Sequence, residues 1–280
     1  MTTHTRTNPA QASLNLSMAV KKQAPRQVKL SQNSRKTKAT QAITAIPRQC
    51  RKEIETFFYT LSTLNQKLEQ YRKEWEKEIK PQSDLGRLNR WRFAFCTVHT
   101  PWLPSCEQYL DIKNHYDDVE LETLLKKLAI GSGGMHKSKS AGIHNLQNLW
   151  NQSPELFDLR ELSSRSEWRK QRNKLTKKLD YLGLAKTSFA LEMLEPIKCQ
   201  VICIDRHMFR AFGWADPDKA ASQKQYEYYE DYWLNLCDHY QVEPAIARNL
   251  YWDIIQQQPS SMYWGEYLKD HDYIIHSSRN

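Results

Sequence analysis

The stretch DYLGLAKTSFALEMLEPIKCQVICIDRHMFRAFG, Asp180–Gly213, contains the pattern around which the rest of the chain is arranged. It predicts a tight glycine hairpin at Leu182–Leu184 and a short apolar helix that starts near Lys186. This helix should stop at Pro196, because proline removes a helix donor and clashes with the preceding turn. An apolar run then leads to Asp205, which stands at the start of the next predicted helix. A lysine and a carboxylate are therefore expected at the starts of two neighbouring helices.

The residue types at these two positions each allow two interpretations. A lysine at a helix N-terminus among apolar neighbours is either a surface cation whose stem packs on apolar side chains or an activated amine of the Schiff-base kind. The apolar surroundings and the helix dipole both disfavour the ammonium form. An aspartate before a helix is first of all an N-cap. Asp205 is thus interpreted as a cap, as a catalytic carboxylate, or as both.

The composition predicts an all-α fold. The chain of 280 residues has only 8 glycines, and no segment shows a sustained alternation of apolar and polar residues. Hydrophobic residues make up 40% of it, enough for a sizeable core. Apolar positions three and four residues apart predict helices over residues 51–80, 88–100, 105–115, 119–129, 136–150, 168–182, 186–195, 206–212, 226–240, 244–257 and 260–268.

The positive charge of the chain is concentrated at its N-terminus. The formal net charge is +9, yet residues 1–52 hold 11 of the 41 Lys and Arg and no Asp or Glu, which leaves 30 basic against 32 acidic residues elsewhere. Residues 1–49 are polar and nearly free of aromatics, so we expect a disordered basic tail. Three interpretations of this tail stay open: a phosphate-binding arm, a solvated tail without function, and an organelle transit peptide.

Several classes of site and location are disfavoured by the sequence. The six cysteines lack the paired spacing of a zinc site or a disulfide framework, so reduced thiols and no metal are expected. No apolar run approaches the ~20 residues of a membrane span. We therefore expect a cytoplasmic, nucleoid or nuclear protein that binds no membrane.

The glycine-rich loop at residues 131–134 does not follow the Walker pattern and predicts a simple turn or, less favoured, a DNA-facing loop.

Two segments, Leu182–Ser188 and Ile204–Arg210, resemble the helix–hairpin–helix DNA glycosylase superfamily. In that family a glycine hairpin precedes a catalytic lysine, and an aspartate follows about twenty residues later; here the separation is 19 residues. The run Asp-Arg-His-Met-Phe-Arg is especially similar to the archaeal-type 8-oxoguanine DNA glycosylases. Weaker similarity extends roughly from Lys52 to Trp264 and includes residues 93–101, 135–141 and 242–252.

The resemblance implies a fold of two helical subdomains with a groove between them. Residues 50–280 would form the glycosylase domain, with a central helical barrel over about 87–200. The implied partner is double-stranded DNA that contains a modified base or an AP site, bound by a monomer. No cofactor and no iron–sulfur cluster is implied, although carbonyl groups of the hairpin would suit a monovalent cation.

The implied activity is that of a bifunctional DNA glycosylase and AP lyase. It would flip out and excise a modified base, which the resemblance implies to be an oxidised purine, and then nick the strand by β-elimination. The catalytic residues would be Lys186 and Asp205. The expected DNA-binding residues are Leu182, Gly183, Leu184, Ala185, His136, Lys137 and Arg206, and the expected base-pocket residues are His99, Trp102 and His207.

The hairpin departs from the family pattern, which usually has two glycines, the second of them two residues before the lysine. This chain has one glycine, Gly183, three residues before Lys186. Either the hairpin is one residue longer, or Ala185 occupies the lysine position and catalysis is impaired. Two alternatives to the enzyme therefore stay open: a DNA-binding module that lacks catalysis, and an all-α interaction protein with a nucleic-acid-binding tail.

Overall fold

Helices account for the regular secondary structure in the part of the chain that the computed structural model describes, residues 43–113, 121–129, 135–214 and 221–257. Within these ranges there are eleven α-helices and no strand. They are α1 Arg48–Ser62, α2 Asn65–Glu74, α3 Asp84–Cys96, α4 Trp102–Lys113, α5 Leu121–Leu128, α6 His136–Gln152, α7 Arg165–Lys178, α8 Leu184–Leu194, α9 Arg206–Ala211, α10 Gln223–Tyr240 and α11 Pro244–Gln256. A π-helical turn at Trp75–Ile79 follows α2, and a 3₁₀ turn at Pro154–Phe157 follows α6. The all-α prediction is confirmed.

The helices pack in two groups. In the first, α3 contacts α4, α6 and α8, while α5 packs on α4 and α6, and α7 packs on α8. The second group consists of α1, α2, α10 and α11. The groups meet where α8 contacts the π-helical turn, and α9 packs on α11 of the second group. The expected two helical halves are thus present, and the first is built from the middle of the chain.

Helix α3 is the centre of the first half. Every residue from Leu88 to Cys96 is buried, as the apolar pattern around its whole circumference predicts. The helix begins at Asp84, where Ser83 provides the N-cap by accepting a hydrogen bond from the N–H of Gly86 at 3.0 Å. A central buried helix of this kind gives the surrounding helices a common packing surface.

The fold begins before the predicted tail boundary at residue 49. Ile46 is buried, and the amide of Thr44 donates to the Gln225 side chain at 2.6 Å, while that side chain donates back to the Thr44 carbonyl at 2.9 Å. The boundary at residue 49 was therefore wrong by several residues, because this segment already packs on α10. The rest of the predicted tail, residues 1–42, lies outside the described residues.

The single helix predicted over residues 51–80 is in fact two helices. The break lies at Thr63 and Leu64, and Leu64 has a non-helical backbone with φ −102° and ψ 45°. Ser62 and Thr63 donate their hydroxyls to the carbonyls of Tyr59 and Thr60, both at 2.7 Å. Such local bonds compete with the helix ladder, so the chain can turn while the apolar face continues.

Three other predicted boundaries differ from the structure. Helix α3 ends at Cys96 rather than Thr100, and Trp102, which was expected in a loop, is the first residue of α4. Helix α7 ends at Lys178, four residues before the predicted end. The helix predicted over residues 260–268 lies outside the described residues. Among the helices described, none has the length and apolar character needed to cross a membrane.

Candidate active site

Lys186 lies in the first turn of α8. Gly183 is the N-cap residue, and its carbonyl accepts from the amide of Thr187 at 2.9 Å, so Lys186 is the third helical residue. No side chain of the described residues caps this helix start. The Lys186 side chain is half-buried, and its Nζ lies 5.7 Å from the ring centroid of Phe189. The helix therefore presents a lysine amine beside uncapped backbone N–H groups.

The turn between α7 and α8 differs from the predicted glycine hairpin. The residue with a left-handed backbone is Tyr181, with φ 65°, whereas Gly183 is extended, with φ −77° and ψ 174°. A Cβ at Gly183 would meet no atom within 4 Å. The tight turn is present, but its conformation does not require the glycine, so the expectation that Gly183 makes the turn was wrong.

Helix α6 holds this hairpin in place. Gly142 lies so close to the hairpin that an added Cβ would stand 2.9 Å from the carbonyl oxygen of Asp180 and 2.4 Å from Cε1 of Phe95. Three residues further along α6, the Asn145 side chain accepts from the amide of Asp180 at 3.3 Å. Gly142 is therefore needed for close approach between α6, α3 and the hairpin.

Asp205 is the N-cap of α9. Its Oδ1 accepts from the amides of His207 and Met208 at 2.9 and 3.0 Å. Its Oδ2 accepts from the indole Nε1 of Trp252 in α11 at 3.2 Å. Three N–H donors thus fix the orientation of this carboxylate, one of them from α11. The capping interpretation is confirmed, and the catalytic role stays a prediction.

The segment before Asp205 is buried without belonging to a helix or strand. Residues Val201–Ile204 are all buried. Three side chains bind their backbone N–H groups, since the Ile202 amide donates to Glu230 at 3.1 Å, the Cys203 amide to Glu192 at 2.8 Å and the Ile204 amide to the Tyr226 hydroxyl at 3.0 Å. Side chains of α8 and α10 therefore supply the hydrogen bonds that a buried backbone needs.

Two buried ion pairs support this segment. Glu192 binds the guanidinium of Arg248, and both side chains are almost completely buried. Glu230 binds Arg172 at 2.5 Å, with neither side chain exposed. Because the same glutamates accept the backbone amides of residues 202 and 203, the pairs and the segment form one hydrogen-bonded network. The network holds Asp205 at a fixed distance from α8.

Lys186 and Asp205 lie in one neighbourhood without forming an ion pair. The ion pairs among the described residues, with a limit of 4 Å between N and O, do not include one between these two side chains. Both charges act on the buried thiol of Cys203, whose pKa burial raises to about 12; Lys186 lowers this pKa and Asp205 raises it. The charges of Lys186 and Asp205 therefore both lie within electrostatic range of this thiol.

His207 lies in the same neighbourhood. Burial lowers the pKa of its imidazole, Asp205 raises it, and the positive charges of Arg210, Lys186 and Arg206 lower it further. The balance is a lowered pKa, so the ring is neutral at neutral pH. The side-chain Nε2 of Gln256 lies 2.6 Å from Nδ1 of His207.

A second lysine of the site region, Lys139, is buried. Its Nζ donates to the carbonyl of Cys96 at 2.6 Å, to the hydroxyl of Thr100 at 2.5 Å and to the side-chain carbonyl of Gln108 at 2.8 Å. Burial lowers the pKa of Lys139 to about 8, Cys96 raises it, and the charge of Lys186 lowers it. The ammonium group of Lys139 thus binds the backbone carbonyl of Cys96, the last residue of α3, and none of its three acceptors is a carboxylate.

The three expected base-pocket residues differ in their positions. Trp102 packs against Phe189 and Trp252, with ring centroids 6.2 and 5.4 Å apart, so it belongs to the aromatic cluster next to Lys186 and Asp205. His207 is adjacent to Asp205, as described above. His99 is exposed and has a left-handed backbone with φ 48° in the connection between α3 and α4. The structure brings the first two to the site and leaves His99 at the surface.

The expected DNA-binding residues also differ in accessibility. Leu182 is buried, and its amide already donates to the Leu179 carbonyl at 3.3 Å, so neither group faces a ligand. The more accessible ones are Gly183, Leu184 and Ala185 at the start of α8, His136 and Lys137 at the start of α6, and Arg206 at the start of α9. Their contact with DNA stays a prediction.

Several supporting residues were missed at the level of the sequence. Glu192 and Arg248 are charged residues among apolar neighbours in their helices, a pattern that indicates a buried ion pair but does not identify the partner. Trp252 was noted only as part of an aromatic-rich helix, and its bond to Asp205 has no signal in the sequence. Gly142 is a glycine inside a helix, which indicates close packing.

No group of three or more His, Cys, Asp and Glu in the described ranges could hold a metal ion. The six cysteines are free, and all except Cys50 are buried. The expectations of no cofactor and of a cation at the hairpin carbonyls stay predictions.

The two helices α7 and α8, joined by a tight turn, with a lysine at the start of α8 and an aspartate at the start of α9, define a helix–hairpin–helix protein with two helical halves. Solved structures share this fold. The chain is similar to the 8-oxoguanine DNA glycosylase of Thermotoga maritima, with a TM-score of 0.57 and 16% identity over 76% of this chain and 99% of that one. It is likewise similar to the 8-oxoguanine DNA glycosylase of Methanocaldococcus jannaschii, with a TM-score of 0.59 and 15% identity over 75% of this chain and 95% of that one.

These likenesses confirm the predicted fold: the chain has the helix–hairpin–helix fold of the 8-oxoguanine DNA glycosylases. No protein-family model and no curated protein sequence matches it.

Proposed function

We propose that this protein is a DNA glycosylase with AP lyase activity. The observation that carries the proposal is the placement of a lysine amine at the uncapped start of α8 and of an oriented carboxylate at the start of α9. The fold supports it, since the two similar structures are named as 8-oxoguanine DNA glycosylases.

The start of α8 is suited to bind a DNA phosphate. Its first backbone N–H groups have no side-chain cap in the described structure, and the positive end of a helix dipole favours an anion. Gly183 and Ala185 contribute small side chains there, which let a sugar–phosphate backbone approach closely. A phosphate held at this point would bring the sugar of an extruded nucleotide close to Lys186.

Lys186 is the proposed nucleophile. Its neutral amine attacks C1′ of the extruded nucleotide, the N-glycosidic bond breaks, and the base leaves with the bonding electrons and takes up a proton. The C1′–O4′ bond then opens to give a protonated Schiff base between Nζ and C1′. Loss of a C2′ proton breaks the C3′–O3′ bond, and water finally releases the lysine. Because Lys186 has no carboxylate partner within 4 Å among the residues that the structure describes, no ion pair with them has to be broken first.

Asp205 is the proposed electrostatic partner of this reaction. As the base departs, positive charge develops on C1′ and O4′, and a nearby carboxylate stabilises it. The amides of His207 and Met208 and the indole of Trp252 hold the carboxylate before the substrate arrives. Preorganised groups of this kind need no reorientation in the transition state.

For the substrate we propose an oxidised purine, with 8-oxoguanine as the first base to test. The experiment incubates the full chain with matched duplexes that contain 8-oxoguanine, uracil, hypoxanthine or thymine glycol and measures release of each base. The proposal expects release of 8-oxoguanine and a loss of about 100-fold or more in the single-turnover rate for Asp205→Asn. Release of a different base would reject the substrate, and release of none would reject the glycosylase.

A DNA-binding module without catalysis is the second candidate. The lack of direct contact between Lys186 and Asp205 favours it, since a carboxylate that deprotonates a lysine needs hydrogen-bond reach. This module would bind the same duplexes and release no base.

A further inference from the structure

Helix α7 carries its arginines and its lysines on opposite sides. Arg165 binds Asp238, Arg169 binds Glu230 at 2.8 Å and Asp231 at 2.5 Å, and Arg172 binds Glu230 at 2.5 Å. These carboxylates all belong to α10. The arginines of α7 therefore attach this helix to the second helical half. Their positive charges are balanced by the carboxylates of α10.

The lysines of α7 have a different environment. Lys170, Lys174, Lys177 and Lys178, here called the lysine strip, are all exposed. Among the ion pairs of the described residues, none includes a lysine of the strip. Glu167, the acidic residue in the first turn of α7, accepts instead from Ser163 and Ser164 in a capping box. The strip thus has four positive charges without a carboxylate partner.

The spacing of the lysine strip places it on one side of the helix. At about 100° per residue, the four lysines fall within an arc of about 100°, and the three paired arginines fall on the opposite side. Successive steps of about four residues advance about 6 Å along the axis. Lys170, Lys174 and Lys178 follow one another at such steps, and Lys177 lies beside Lys178.

Two ordinary explanations account for only part of this arrangement. Lysines in the last turn of a helix are favoured by the helix dipole, which explains Lys177 and Lys178. The same effect does not reach Lys170 and Lys174, because it falls off within one turn. A merely solvated surface would mix both signs of charge, whereas on α7 every arginine is paired and every lysine is not.

We infer that the lysine strip is a second phosphate-binding surface, which follows the backbone of duplex DNA away from the hairpin. The strip ends at Lys178, directly before the turn that leads to Gly183 and Lys186. A strand whose phosphate binds at the start of α8 would continue along α7 for about three further phosphates. The inference rests on the proposed function for the identity of the polymer, and it adds the direction in which the duplex extends.

The test compares full-chain proteins, so that the N-terminal segment contributes equally to each. The strip variant is K170Q/K174Q/K177Q/K178Q, and its matched control is K52Q/K67Q/K73Q/K77Q, which removes the same charge from exposed lysines outside α7. Anisotropy measures binding to a 30-base-pair duplex with a tetrahydrofuran abasic site from about 50 to 200 mM salt. We expect the strip variant to bind at least about tenfold more weakly at low salt and its log–log salt slope to fall by about 3.

The outcomes separate the strip from the active site. Equal weakening of both variants would show an effect of net charge alone, and unchanged binding of the strip variant would show that the lysines only solvate the helix; either result overturns the inference. Borohydride trapping on an AP-site duplex is measured for the same proteins at saturating concentration. If the wild type traps nothing and the strip variant still loses affinity and slope, the proposed chemistry fails while the phosphate-binding surface stands.

Discussion

The indole Nε1 of Trp252 donates a hydrogen bond to Oδ2 of Asp205 across 3.2 Å, and this bond ties α11 to the start of α9 at the candidate active site. Trp252 belongs to α11, which packs on α1 and α2, whereas Asp205 precedes α9. The backbone amides of residues 207 and 208 orient one carboxylate oxygen, and the indole orients the other. The orientation of Asp205 thus depends on how α11 packs beside α9.

Replacing Trp252 by Phe should therefore reduce catalysis more than stability. The variant keeps the aromatic packing against Trp102 but loses a hydrogen bond to a charged acceptor. We expect the single-turnover rate of base release to fall about tenfold, since such bonds are worth about 1.5–3 kcal/mol. Trp150→Phe, which changes a tryptophan that packs on Phe157, is the control and should leave the rate unchanged. Equal rates for W252F and wild type would mean that the indole does not orient the carboxylate.

The two glycines that flank this region should respond differently to alanine. Gly183 is extended with open space at its Cβ position, so Gly183→Ala should change the free energy of unfolding by less than about 1 kcal/mol. Gly213 has φ 78°, and its Cβ would stand 2.7 Å from the ring of Pro47, so Gly213→Ala should cost about 1–2 kcal/mol or more. Urea unfolding of both variants measures these free energies. A larger cost for Gly183→Ala than for Gly213→Ala would mean that the turn does require a glycine at position 183.

The buried ion pair between Glu192 and Arg248 should be sensitive to loss of one partner. Glu192→Gln leaves a buried guanidinium without its carboxylate, which costs about 3–5 kcal/mol. The control is Glu122→Gln, because Glu122 forms an exposed pair with Lys126 at 2.9 Å, worth at most about 1 kcal/mol. Urea unfolding at pH 7 compares the two. Similar small costs for both would show that the pair does not support the segment before Asp205.

Lys139 should make stability depend on pH in alkaline solution. The pKa of Lys139 is about 8 in the folded protein and 10.5 for an unperturbed lysine, the value taken for the unfolded chain. Between these pH values the unfolded chain therefore binds more protons than the folded one. The free energy of unfolding therefore rises by about 3 kcal/mol through this group as pH rises from 8 to 10.5. The same contribution is lost as pH falls back through 8. Tyrosines and cysteines with raised pKa values act in the opposite direction, so the measurement is the difference between wild type and Lys139→Met.

We expect the free energy of unfolding of the wild type to increase relative to that of Lys139→Met as pH rises from 8 to 10. Urea unfolding at constant ionic strength measures it. A difference that is independent of pH would mean that Lys139 keeps an ordinary pKa despite its burial.

The sequence predicts the fold well because helix periodicity is a local property. The buried faces of α1 and α3 and the starts of α9 and α11 follow from residues within each segment. The break at Leu64 was missed because it depends on the hydroxyls of Ser62 and Thr63, which suit a helix surface equally well. Helix ends were misplaced for the same kind of reason.

The site could be predicted only in part. Lys186 and Asp205 were identified from their positions at helix starts and from the resemblance to a family, and the structure places both at helix starts. Their supporting residues come from other elements, and pairs such as Glu192 with Arg248 are 56 positions apart in the chain. Nothing local specifies such a pair, so Trp252, Arg248 and Gly142 became apparent only when the helices were packed.

Borohydride trapping on a duplex with an AP site tests the central claim most directly, because it captures the Schiff base itself. The account predicts a covalent complex of the full chain with DNA that disappears in Lys186→Gln and persists in Lys126→Gln, a change of an exposed lysine on α5. Undiminished trapping by Lys186→Gln would assign the chemistry to another amine. Binding without trapping by the wild type would leave the DNA-binding module, and absence of both would favour the interaction protein; each of these results contradicts the proposed lysine nucleophile.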